Sequence, residues 1–336
     1  MHAHRSGRRT SLAIVGGETL LGKELYELLE ARKLNVTLIA SPDTEGSIVT
    51  QGADEPLVMT SLESADLGSA DIVILAASRE FGHMAYDRIR ERNPAPAVID
   101  LTGSLEDLAE ARLRAPMVEA PGTGVPGAIQ TVAHPAAIAI ALLITHLQKA
   151  RAIRRSVIEV FEPVSERGKG AIDELQKQTV ALLSFKPLPK EIFDAQVAFS
   201  MLSQYGEEAP ISLEEIEQKI DRHLASLLAS SGAPMPSLRL IQAPVFHGYS
   251  FSIWVEFEED PGMDGIFQAL GSAHIDVRTR DHEPPTNVGV AGQSGITVGS
   301  ITQDRNQPRA WWFWMVADNL RIAAENAEEV VSELFQ

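Results

Sequence analysis

Short β-branched runs alternate with segments of helical spacing over the first 120 residues. SLAIVGG (11–17) reads as a strand ending in glycines, and LGKELYELLEARK (21–33) follows with apolar residues at helical intervals. VTLIAS (36–41), ADIVILAAS (70–78) and AVIDLTG (97–103) read as further strands, with a helix over AYDRIRERN (85–93). Strands that alternate with helices imply βαβ units and a parallel sheet. Near Ala120 the texture changes, and the Pro- and Gly-rich segment APGTGVPG (120–127) reads as a linker or loop.

A second region starts at His134. HPAAIAIALLITHLQKA (134–150) is a helix apolar enough to be buried. SVIEVFEPV (156–164) reads as a strand, and KGAIDELQKQTVALL (169–183) and ISLEEIEQKIDRHLASLL (211–228) as amphipathic helices. LRLIQAPVF (238–246) and YSFSIWVEFE (249–258) alternate as antiparallel strands with one solvated face would. WMVADNLRIAAENAEEVVSELF (314–335) ends in a strong helix. The pattern predicts an α/β fold in two parts, a parallel sheet of βαβ units followed from His134 by a second α/β region.

Composition narrows the chemistry. The chain has 336 residues, 44% of them apolar and 22% charged, as in an ordinary globular protein. A formal net charge of −17 argues against nucleic acid or an anionic membrane surface as partner. The longest apolar stretch, Ile138 to Ile144, falls short of the roughly 20 residues that span a bilayer. The opening MHAHRSGRRT lacks an apolar core, so it does not read as a secretory signal, and a cytoplasmic location is expected. There is no cysteine, which removes disulfides, thiolate metal sites and a thiol nucleophile.

Gly16, Gly17 and Gly22 close the first strand and open the first helix, near the spacing of a dinucleotide fingerprint. Thr19 occupies the middle position, where a side chain crowds an approaching phosphate. Asp43 lies where a ribose-binding acid would sit, although after Pro42 it serves equally as a turn residue. The plainer reading is that these glycines serve only the turn and the helix packing.

The segments VGGETLLGKEL, VIDLTG, SERGKGAIDEL, QAPVFHGYS, VGSITQD and WWFWMVADNLRIAAENA resemble the aspartate-β-semialdehyde dehydrogenase family, most closely its USG-1-like subgroup. The order Asp318, Asn319, Leu320, Arg321, Ala324, Asn326 is the most specific part of the likeness. The resemblance implies a Rossmann-type domain of residues 1–133 completed by the C-terminal helix in 315–336, an α/β domain with a mixed sheet over 134–314 that forms a homodimer interface, and a place in amino-acid biosynthesis. It implies reduction of aspartyl phosphate to the semialdehyde with NADPH. That reaction uses a cysteine thiolate, a histidine acid–base, a glutamine and a substrate-binding arginine.

Each of those positions differs here. Ala137 stands where the nucleophile would be, and Glu162 where the glutamine would be. Gln242 and Tyr249 hold the spacing of the arginine and the histidine. Glu106 replaces the arginine for substrate phosphate, and no arginine follows the second strand to bind a 2′-phosphate. By the resemblance, Gly16, Gly17, Thr19, Leu20, Gly22 and Asn319 would contact NADP or NAD, with binding weakened or lost. The implied protein is a catalytically inactive family homologue that acts as a structural or regulatory homodimer. The alternative is an NAD(P)-dependent oxidoreductase of this type, or an altered reaction without a thiol intermediate.

Other candidates have bland readings. His247 neighbours the lost histidine position, but on an alternating strand a one-residue shift points it to the other face. His134 reads as a cap or packing residue, and Tyr249 with Glu162 as a structural hydrogen-bonded pair. Ser165 shows no evident base partner. The histidines show no metal-ligand spacing. Trp311 to Trp314 reads as a core or interface strand with two rings buried on each face, and Arg151, Arg154 and Arg155 as a solvated cluster.

Overall fold

The computed structural model describes residues 10–41, 48–51, 55–120 and 129–335. Asp43 and nearly all of the Pro- and Gly-rich segment after Ala120 lie outside the described residues. The chain divides into two compact units. One comprises 1–116, 120–133 and 323–336, and the other 117–119 and 134–322.

The first unit begins with β1 (Ser11–Val15), α1 (Leu20–Ala31) and β2 (Asn35–Ala40), followed by the hairpin β3 (Ile48–Gln51) and β4 (Glu55–Val58). It continues through β5 (Thr60–Ser61), β6 (Ile72–Leu75), α2 (Arg79–Ile89), β7 (Ala97–Asp100), β8 (Ala111–Arg114) and β9 (Ile129–Val132). Seven strands form one parallel sheet in the order β5-β2-β1-β6-β7-β9-β8. The order reverses beside β1, as in Rossmann-type sheets. The inner strands are apolar throughout because helices cover both faces of such a sheet. Ile14, Val15, Val73, Ile74 and Leu75 are all fully buried.

The second unit carries α3 (Pro135–Ala150), β10 (Ile153–Glu162), α4 (Gly168–Leu183), α5 (Leu213–Leu228), β11 (Ser237–Gln242) and β12 (Tyr249–Phe257). After these come α6 (Gly262–Leu270), β13 (Ile275–Val277), β14 (Ile296–Gln303), β15 (Ala310–Ala317) and α7 (Asn319–Leu334). Its mixed sheet runs β11-β10-β12-β15-β14-β13. α3 is apolar on every side because it packs between the sheet, α5 and α6. α7 starts in this unit, and from Ala323 it belongs to the first. There Glu333 meets Arg114 at 2.6 Å, and Glu328 pairs with Arg32. Among the described residues no helix is long and apolar enough to cross a membrane.

Two sequence expectations change. β11 lies parallel to β10, not antiparallel to β12, because intervening helices return the chain in its original direction. The rings of the tryptophan run are also not all buried. Trp311 and Phe313 face the core, whereas Trp314 is partly exposed and Trp312 is 41% exposed. The period of two sends alternate residues to opposite faces, and the face that carries Trp312 is the more exposed one.

Candidate functional site

In the first unit, the turn after β1 needs its glycines. Gly16 sits at φ +93°, and a Cβ there would come within 2.7 Å of the Ala77 backbone. A Cβ on Gly22 would collide with the Gly16 carbonyl. Thr19 is the N-cap of α1. Its Oγ1 accepts from the Gly22 N–H at 2.9 Å and lies 2.8 Å from Gly16 O and 2.9 Å from Ala76 O. That side chain is consumed by the cap. Leu20 follows as the first residue of α1. After β7, the buried Asp100 carboxylate accepts from the N–H groups of Thr102, Gly103 and Leu105 and fixes the loop. Glu106 lies on that loop, 3.9 Å from Arg79.

In the second unit, Glu162, Gln242 and Tyr249 come together where three neighbouring strands meet. Glu162 ends β10, its register partner Gln242 ends β11, and Tyr249 opens β12. All three are fully buried. The Tyr249 hydroxyl donates to Glu162 Oε2 at 3.5 Å, and Gln242 Nε2 donates to the Glu162 carbonyl at 2.8 Å. Tyr205 donates to Gln242 Oε1 at 2.6 Å. Arg167 places Nη2 3.2 Å from Glu162 Oε1, an oxygen that accepts no hydrogen bond.

Burial pushes the Glu162 carboxyl up to about 7 in spite of the attraction of Arg167, with Glu166 adding to the rise. Burial also raises the Tyr249 hydroxyl well above its usual range, reinforced by Glu166 and Glu162. Burial opposes the charge on Arg167, but the two glutamates outweigh it and raise its pKa. The cluster sets an arginine beside a carboxyl that burial holds toward its protonated form and a neutral phenol.

Ala137 lies in the first turn of α3, fully buried. His134 caps that helix, accepting from the Ala136 N–H at 3.3 Å, and its own backbone N–H donates to His223 Nδ1 at 2.9 Å. Its ring meets Tyr249 edge-on at 6.3 Å. Burial, with the nearby Lys219, His223 and Arg167, holds the His134 pKa well below its usual value. Its 3.7 Å approach to Glu166 is therefore not an ion pair at neutral pH.

A further set of contacts corrects two expectations. Residues 243–248 belong to no strand, so alternation does not set the direction of His247. Its Nε2 lies 2.9 Å from Asp318 Oδ2, and its Nδ1 lies 3.2 Å from Ser165 Oγ. Ser165 thus has a base partner. It sits in the short 3-10 turn Val164–Arg167 that leads from β10 into α4. Backbone pairing of Val164 with Val245 and of Ser165 with Phe246 locks the two loops together. Asp318 Oδ1 accepts from the N–H groups of Leu320 and Arg321, both at 3.0 Å, and caps α7. Burial would raise its carboxyl, but His247 and the N–H groups of Arg321 and Gly292 outweigh burial and lower it. Asn319 Oδ1 lies 3.2 Å from Ser165 Oγ and accepts from Gly248 N–H, while its Nδ2 donates to Glu166 at 2.9 Å. No local pattern in the sequence announces this convergence of three distant segments.

The basic cluster also differs from the expectation. Arg154 and Arg155 are half-exposed but both reach the buried Glu256, and Arg155 lies 5.5 Å from the Trp254 ring centre.

Residues 145–322 match the family described as semialdehyde dehydrogenase, dimerisation domain. Over 331 residues the chain is 28% identical to a USG-1 protein homolog of Pseudomonas aeruginosa, covering 97% of each. It is 25% identical to an aspartate-semialdehyde dehydrogenase of Rickettsia bellii, covering 98% of each. Among solved structures, a probable aspartate-semialdehyde dehydrogenase from Pseudomonas aeruginosa superposes with a TM-score of 0.86 at 26% identity, covering 98% of this chain and 99% of that one. The fold of the Candida albicans enzyme solved with NADP matches with a TM-score of 0.68 at 14% identity, over 97% of this chain and 98% of that one. With the parallel sheet, the mixed sheet and a family match over more than half its length, this chain belongs to the semialdehyde dehydrogenase family.

Proposed function

We propose that this protein is a dimeric member of the family that does not carry out the thiol-dependent reduction and serves a structural or regulatory role. The carrying observation is the buried methyl of Ala137 at the head of α3, in a chain without cysteine. A methyl group cannot form the thioacyl intermediate. Glu162, Gln242 and Tyr249 fill the accompanying positions and bond to one another, which leaves no group placed to serve a nucleophile there. In an assay with aspartate semialdehyde, phosphate and NADP, no reduction of NADP is expected. Turnover abolished by a substitution at Glu162 or Tyr249 would overturn this reading.

The dimer reading rests on the mixed sheet. Val157, Trp254 and Trp312 occupy one cross-strand row of the mixed sheet. Val157 and Trp312 are 45% and 41% exposed. Such a row on three adjacent strands suits a second copy of the same sheet. We assign the unit that carries the mixed sheet, with β15 and the start of α7, to this dimerisation half, and the unit that carries the parallel sheet to the Rossmann-type half; the expected boundary at 314/315 would cut β15.

We also propose that NADP or NAD binds weakly or not at all at Gly16, Gly17, Thr19, Leu20 and Gly22, because Thr19 is committed to the helix cap. Asn319 is likewise held by Ser165, Gly248 and Glu166. Calorimetric titration with either nucleotide tests this, and tight saturable binding would overturn it.

A second reading, an altered reaction without a thiol intermediate, is favoured by one observation: the chain of contacts from Ser165 through His247 to Asp318.

A further inference from the structure

We propose that Ser165, His247 and Asp318 form a nucleophile, base and orienting acid for acyl transfer from a small activated carboxylic ester to water. This inference rests on the second reading above and names its reaction class.

The geometry supplies each role. Asp318 Oδ2 can only accept, so at 2.9 Å it selects the His247 tautomer with hydrogen on Nε2. Nδ1 is then a bare lone pair 3.2 Å from Ser165 Oγ, within reach of its proton. Asp318 is itself held by Gly292 N–H at 2.7 Å and by the first turn of α7, so the orienting carboxylate is fixed from two sides. The Asn287 side chain donates to the His247 carbonyl at 3.1 Å, and Gly248 follows at φ +82°. Ser165 occupies a strand-to-helix turn, the setting in which other folds present a nucleophilic serine. It is 2% exposed, whereas the His247 side chain is 28% exposed, so access is narrow and favours a small acyl group.

The step balances. Ser165 Oγ bonds to the acyl carbon while its proton moves to His247 Nδ1. The alkoxide or phenoxide leaves and takes that proton. Water, deprotonated by His247, then attacks the acyl-serine, which releases the carboxylic acid and restores the serine. The Asn319 carbonyl oxygen, 3.2 Å from Oγ, holds the hydroxyl proton when no substrate is bound.

The test is labelling of the full-length protein with a fluorophosphonate, which bonds to an activated serine with loss of fluoride. The modified peptide is mapped by mass spectrometry. Label on Ser165, slowed at least about 100-fold by His247→Gln, is the expected result. Asp318→Asn keeps the helix cap and is expected to slow labelling at least about 10-fold. Thermal melts establish that each variant is folded. A folded parent protein with no label on Ser165 overturns the proposal, as does labelling at the parent rate in either folded variant. Hydrolysis of p-nitrophenyl acetate, lost in Ser165→Ala, is the second readout. Neither readout involves NADP, so failure here leaves the reading of the lost thiol reaction standing or falling on its own assay.

Discussion

The Tyr249 hydroxyl donates across adjacent strands to Glu162 Oε2 at 3.5 Å, in a pocket where both side chains are fully buried. A phenol and a carboxyl thus occupy the strand ends at which the resemblance places an imidazole and an amide. Their interaction is with each other and with Arg167, and it makes pH the natural probe of this pocket.

Glu162 ionises at about 7 in the folded protein against a usual 4.5. Between those values the folded state keeps a proton that the unfolded chain has lost. Stability is therefore highest below the window and falls as pH rises through it, by on the order of 2–3 kcal/mol. Urea unfolding from about pH 5 to 8 should show this decline, and Glu162→Gln should flatten it. Equal slopes in the two proteins would refute the assignment.

Thr19→Ala removes the cap of α1 and leaves the Gly22 N–H without its acceptor. A loss of about 1–2 kcal/mol is expected by chemical denaturation. The same variant frees the space beside the glycine turn. If capping is what excludes nucleotide, NADP affinity measured by calorimetry should rise or stay undetectable, and a fall from a measurable parent value would contradict the reading.

Trp312→Glu places a charge in the exposed cross-strand row without touching the core. Folding should be unaffected, and the dimer dissociation constant should rise at least about 10-fold. Sedimentation equilibrium distinguishes this from a protein that is monomeric throughout, which would end the dimer proposal.

Ala137→Cys alone should not create NADP-linked semialdehyde oxidation. The new thiol would sit in a packed helix, and Tyr249, Gln242 and Glu162 would still stand where the resemblance places the histidine, arginine and glutamine. A coupled absorbance assay reads this directly, and activity in the single variant would show that those positions suffice for catalysis.

The elements with a marked apolar pattern were legible, and length separated them: the short run Ile72–Leu75 reads as an inner strand and the longer Ala136 to Ile144 as a buried helix. The short strands β3, β4, β5, β8, β9 and β13 were not, because so few residues show no period. The glycine turn was legible because Gly16 and Gly22 have no room for a side chain. Strand direction was not, since alternation within LRLIQ is the same whether β11 runs parallel or antiparallel to its neighbour. Nor was the face taken by Trp312 and Trp314 as opposed to Trp311, because period two separates the faces without saying which one is the more exposed.

Residue type and local spacing were enough for the two-part α/β fold, the family likeness and the absence of a thiol. Which polar groups meet is set by contacts between distant segments. Ser165, His247 and Asp318 are far apart along the chain, and loop pairing and a helix cap bring them within hydrogen-bonding distance. Proton transfer depends on tenths of an ångström, and no spacing along a chain specifies distance at that scale.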